Sequence, residues 1–407
     1  MELNSSPTGR FLLIRVFVLL LSLGLFAFDL WWIWRDTRPL ADLKTIGAWI
    51  AREQFVQAES ALRECLRREP HDGEARMLLA KALAGQGELL DCAQQLHRVP
   101  TWWPKKSEAQ FREGQAYLII NRAKDAEAAW LSVVEDDPLH PRPMNVFHDA
   151  SLELLKLYST EDRWEDAYVI LWRSYEHASP VDRLNLLSMR LRSELERVAH
   201  EQSIVRLERY VAADATDWEA LRALARAELA LGRPAEASRH FQRCLKGQPD
   251  NPRCWRDYLN MLHEQGDLDA LMAELARVPE VGESEPEIWK IRGLMAEKAG
   301  DWTKAAHDYR MALERNPYVT AYHYRLAMVE ERLGHSELAA EHRRKAEKLR
   351  ASREHLSTAF SDFLTAGEHR DSRGPELRRS IKRLASVCET LGWGRLAEAW
   401  NELARSP

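Results

Sequence analysis

The sequence predicts an all-α chain of stacked helix pairs, preceded by one apolar segment near the N-terminus. Three observations carry this prediction. Only 18 Gly and 17 Pro interrupt 407 residues that are 45% hydrophobic and 30% charged, the profile of amphipathic helices rather than strands. Small, large and turn residues recur in a fixed order every 34 positions through much of the chain. Finally, Phe11 to Trp34 reads FLLIRVFVLLLSLGLFAFDLWWIW, with an uninterrupted apolar core from Val16 to Phe28.

That N-terminal stretch is long enough as a helix to cross a hydrocarbon layer of about 30 Å. Arg15 lies within reach of the near interface, Asp29 sits at the far boundary, and Trp31, Trp32 and Trp34 supply an interfacial aromatic belt. Bulky Trp stands where a signal peptide would carry small residues for cleavage, which favours a retained anchor. The expectation is a short tail (1–10), a transmembrane anchor (11–34) and a single-pass protein of the bacterial inner membrane. Basic residues flank both sides, and the short N-terminus argues for an exported C-terminal domain.

The repeat is clearest in Trp289, Gly293, Gly300, Ala305, Tyr309, Ala312 and Pro317. The frame before it holds Trp255, Leu259, Gly266, Leu271 and Leu275; one earlier still holds Ala225, Gly232, Ala237, Phe241, Leu245 and Pro249; the next holds Leu326, Ala327, Gly334, Ala339 and Ala346. The N-terminal half repeats it through Trp49, Ala58 and Leu62, then Leu79, Leu83, Gly87 and Cys92, then Gly114, Tyr117, Ala126 and Trp130. Looser copies follow around Leu154 to Leu171 and Leu184 to Ala213, and a last one runs through Leu384, Cys388, Gly392 and Ala397.

This pattern resembles the tetratricopeptide repeat. The resemblance implies a right-handed superhelix of helix-turn-helix units, none of which buries its apolar stripe alone. About eight to nine units are expected over 39–350. Residues 351–377 fit no register and leave two options, a prolonged helix or an irregular insertion; a final repeat or capping pair is expected over 378–407. Trp130, Trp164, Trp255, Trp289 and Tyr309 are expected in the core. So are the scattered cysteines Cys65, Cys92, Cys244 and Cys388, which show neither disulfide nor metal-ligand spacing. The triplets Arg98-Val99-Pro100 and Arg277-Val278-Pro279 end two units early and mark bends.

By the same resemblance, one position of each inner helix faces a concave groove. Counting by the repeat gives Arg222, Arg256, Lys290 and Tyr324, with Arg226 and Asn260 one turn further on. Some members of the family clamp a peptide carboxylate there with Lys, Asn and Arg. Lys290 and Asn260 match that clamp, Arg222 replaces a lysine of it, and Arg226 and Leu294 depart from it. Two readings follow: a groove for a protein or peptide partner, acidic in character, or a cationic face satisfied by the chain's own carboxylates. The corresponding early positions, Leu43, Met77 and Phe111, are apolar.

No catalytic signature, phosphate loop or paired metal ligand occurs, so no cofactor is expected and the chain reads as non-catalytic. A net charge of -5 gives no support for nucleic acid, although twelve Lys or Arg against six acids in 342–383 form a local basic excess. The expected function is a membrane-tethered scaffold for another protein. The alternative is the recruiting subunit of a separate enzyme assembly, such as one that synthesises an envelope polymer.

Overall fold

The structure, a computed structural model, describes residues 41–135, 143–195, 200–368 and 374–405. The apolar segment 11–34 lies outside the described residues, and among those described no helix is long and apolar enough to cross a membrane. The described residues form twenty α-helices and one short 3₁₀ turn, with no strand. Within each unit most successive helices pack on one another.

Two compact units divide the described residues, the smaller up to Ile120 and the larger from Asn121 onward. In the smaller unit lie α1 (Leu43–Ala51), α2 (Phe55–Arg68), α3 (Gly73–Gln86), α4 (Leu89–His97) and α5 (Lys106–Ile119). Ile46, Leu62, Leu79, Leu83 and Leu96 share one interior there with Cys65 and Cys92. The Asp72 carboxylate caps α3 by accepting from the amides of Glu74 and Ala75. After Pro100 the Trp103 ring covers Gly73, where a side chain would collide with it, while Trp102 stays exposed.

The larger unit begins with α6 (Ala123–Val134), α7 (Met144–Thr160), α8 (Trp164–His177), α9 (Pro180–Leu195) and α10 (His200–Ala213). It continues with α11 (Trp218–Ala230), α12 (Pro234–Gly247), α13 (Pro252–Gln265), α14 (Leu268–Leu275), α15 (Pro286–Lys298), α16 (Trp302–Arg315) and α17 (Thr320–Arg332). It ends with α18 (Ser336–Glu368), α19 (Pro375–Thr390) and α20 (Gly394–Arg405). Gly232, Gly266, Gly300 and Gly334 terminate successive inner helices at φ near +75°, the left-handed turn that closes each pair. In weaker copies Glu53, Asn121 and Asp162 hold the same left-handed turn without glycine.

Trp130, Trp255, Trp289 and Tyr309 are buried as expected, and all five cysteines are buried and free. Trp164 departs from that expectation. It is only half-buried at a helix start, and its indole donates to the Asp162 carboxylate at 2.5 Å. Beyond the last repeat register, α18 simply continues, so 351–368 is a prolonged helix. Its Leu349, Leu356, Phe360 and Phe363 pack with Leu171 and Tyr175 of α8, Leu187 and Leu191 of α9, Ile381 of α19 and Trp400 of α20. Burying side chains of this size stabilises by about 1.5–3 kcal/mol each, so the C-terminal helices hold firmly to the start of the same unit.

Candidate partner-binding cleft

Inner helices α11, α13 and α15 stand side by side because each carries a small or apolar stripe toward its outer partner and a polar face away from it. Between those polar faces lies a cleft of about 690 Å³. Four of the six expected groove residues, Arg226, Arg256, Asn260 and Lys290, line it together. Tyr324 is exposed on α17 and is not among its lining residues.

Arg222 corrects the sequence expectation. It does not face the groove but lies between α11 and α13, 1% exposed, with Nη1 donating to Asp257 Oδ2 at 2.7 Å and Nε to Glu219 Oε2 at 3.0 Å. A guanidinium so enclosed needs both carboxylates, since an unpaired charge there would forgo its hydration without return. Burial pushes the Asp257 carboxyl upward, but Arg222, Arg226 and Arg256 together hold it below the usual carboxylate range.

The remaining cations are also engaged. Arg256 donates from Nε to Asp257 Oδ1 at 3.0 Å and from Nη1 to Glu285 Oε2 at 3.1 Å. Arg226 places Nη2 2.5 Å from Asp162 Oδ2. Lys290 donates to Asn260 Oδ1 at 2.9 Å, and burial lowers its ammonium below the ordinary lysine value. Around the cleft, three cations (Arg226, Arg256, Lys290) meet four carboxylates (Glu165, Asp257, Glu264, Glu287). Arg226 and Arg256 thus each have carboxylates of the chain itself within reach, while Lys290 is held by Asn260.

Counting along inner helices missed Glu165 and the two acids beside it. The corner between α7 and α8 lies beside the groove, and its Asp162, Glu165 and Asp166 approach Arg226, Arg256 and Arg253. The signal was present as the run Glu161-Asp162-Arg163-Trp164-Glu165-Asp166, dense in acid around a turn. Glu161 itself is buried against Arg163, and burial pushes its carboxyl up to about 8. Among the described residues no group of three or more His, Cys, Asp or Glu is placed to hold a metal ion.

Comparison with known proteins bears on the repeats. Residues 50–110, 218–261 and 292–354 each match a tetratricopeptide repeat model. Among curated proteins no sequence matches the chain. Solved structures with partial similarity include a crystal structure of MamA, 16% identical, covering 38% of this chain and 90% of that one at a TM-score of 0.33. Another is MamA from Desulfovibrio magneticus RS-1, 20% identical over 43% of this chain and 97% of that one, also at 0.33. Over those three stretches the chain matches the tetratricopeptide repeat, and its helix pairs and left-handed turns have that repeat's form.

Proposed function

We propose that the chain is a non-catalytic scaffold that holds a segment of another protein in the cleft between α11, α13 and α15. The observation that carries this reading is the convergence of Arg226, Arg256, Asn260 and Lys290, from three separate repeats, on one open cleft. Such an array offers donors and acceptors along a line, which suits an extended or helical segment better than a compact small molecule. A photo-crosslinking residue at Asn260 should capture a discrete partner in living cells, whereas one at Val205, exposed on α10, should not. Equal capture at both positions, or none at Asn260, would remove the cleft from the function.

The same proposal makes the protein a single-pass membrane protein of the bacterial inner membrane with an exported C-terminal array. The apolar run from Phe11 to Trp34 and its tryptophan flank support it. Tethering raises the local concentration of the array toward any membrane-bound partner. Protease added outside spheroplasts should digest the array, and deletion of 1–34 should release it into the soluble fraction; survival of the array under the first treatment would reverse the orientation.

A further inference from the structure

The corner between α7 and α8 meets the groove through three ion pairs. Asp166 receives both terminal nitrogens of Arg253, at 2.7 and 2.9 Å; Asp162 meets Arg226 at 2.5 Å; Glu165 stands 3.6 Å from Arg256. Glu165 and Asp166 lie in the first turn of α8 and Asp162 in the left-handed turn just before it, and each of the three carboxylates meets a different arginine of the groove. Opposite them, Arg253 and Arg256 lie one turn apart on α13, with Arg226 on α11.

We propose that this corner is a self-ligand, and that Arg226, Arg253 and Arg256 take in its place an acidic helix start from another protein, with carboxylates at the same three positions. The proposal rests on the scaffold reading above and names the chemistry of the segment that the scaffold holds. Four observations support it.

The contact joins parts of the chain far apart in sequence, and in it a carboxylate triad is already seated on an arginine triad. Charge complementarity thus identifies the occupant. The pairs are also partly exposed: side chains of Arg253 and Asp166 keep 24% and 26% of their accessibility, and Glu165 keeps 59%. Ion pairs open to water weaken with salt, so they can be exchanged for equivalent ones.

The corner also has ties of its own, apart from the groove. Arg163 pairs with Glu127 of α6 at 2.7 Å, with Glu161 at 3.0 Å, and stacks over the Tyr158 ring at 4.4 Å. Release from the groove therefore loosens the turn and the helix start locally, while these internal pairs and the packed end of α8 stay in place. Finally, Glu165 forms part of the rim of the 690 Å³ cleft, so a segment that displaces the corner continues directly toward Asn260 and Lys290. Withdrawal of the corner would strip Arg253 of its bidentate carboxylate and Arg226 of its nearest one, which favours replacement by another acid over an empty groove.

The test uses the full-length chain in detergent and a fluorescent synthetic peptide of residues 158–171, with a second peptide whose three acids are replaced by their amides. The chain carrying Asp162→Asn, Glu165→Gln and Asp166→Asn should bind the acidic peptide about tenfold more tightly than the unaltered chain, because the internal competitor has lost its charge. Adding Arg226→Gln, Arg253→Gln and Arg256→Gln should cancel that gain. In the unaltered chain, saturating acidic peptide should accelerate amide hydrogen exchange within 158–171, an arm that needs no variant to fold. Equal affinity for the two peptides, no gain from the corner variant once its helicity is verified, or unchanged exchange at 158–171 would each overturn the self-ligand. A partner still captured at Asn260 under those results would leave the scaffold reading standing; loss of that capture would end it independently.

Discussion

Arg253 and Asp166, 87 residues apart in sequence, form a two-pronged ion pair, Nη1 to Oδ2 at 2.7 Å and Nη2 to Oδ1 at 2.9 Å. Burial raises the Asp166 carboxyl, but the hydrogen bonds from Arg253 and the charge of Arg163 outweigh it and bring it down to about 2. The folded value lies below the unfolded value near 3.8, so this pair stabilises above pH 4 and its contribution disappears as pH falls from about 4 through 2. Physiological acidification therefore leaves the Arg253–Asp166 pair ionised. Salt should act on it: at constant pH 7, amide protection within 158–171 is expected to fall between about 0.05 and 1 M NaCl.

Arg222 and Arg226, one turn apart on α11, should respond unequally to removal. Arg222→Ala leaves Asp257 enclosed with its closest counter-charge gone and should cost about 3–5 kcal/mol, read as a lowered urea midpoint. Arg226 is one-third exposed, and Arg226→Ala should cost less than about 1 kcal/mol. Similar losses at both positions would mean that burial does not separate structural from groove arginines here.

This contrast shows how far the sequence could be read. Repeat counting placed Arg222, Arg226, Arg256 and Lys290 on adjacent inner helices because helical period and repeat length are local properties. It could not give their depth. Arg222 is covered because Glu219 lies one turn before it and Asp257 reaches from the next inner helix, and that second relation exists only after the helices dock. The acidic corner was hidden for a related reason. Its turn residue is Asp162 rather than Gly, which blurred the register, and its approach to α13 is a tertiary event that no periodicity encodes. The prolonged α18 was equally ambiguous, since its second half loses the repeat while keeping an apolar stripe.

A pH effect on stability is expected at the α17–α18 contact. His323 Nε2 lies 2.9 Å from the Pro317 carbonyl and donates to it, so its Nδ1 accepts from His342 Nδ1, also at 2.9 Å. Burial lowers both imidazoles below the usual 6.5, with Lys345 adding to the effect and Glu341 opposing it. Folded values below the unfolded one mean stability is present above about pH 6.5 and is lost as pH falls through the folded values. Thermal unfolding from pH 8 to 5 should therefore show a falling Tm, and His342→Gln should flatten that fall. An unchanged slope in the variant would exclude the pair as its source.

The tightest check on the repeat interior concerns Gly293, the small residue of the central motif. A Cβ at this position would come within 2.9 Å of the Tyr309 ring on the paired helix α16. Tyr309 is fully buried and its hydroxyl donates to Glu297, so the ring has no free rotamer to retreat into. Gly293→Val should therefore overpack the α15–α16 contact and cost about 1–3 kcal/mol. Tyr309→Leu opens space at the same place, at a cost of its own. The double variant should be less destabilised than the sum of the two singles, because each relieves the other's misfit. Strict additivity in denaturant melts would show that the two positions do not meet, and the close approach that explains the small residue in this repeat would be wrong.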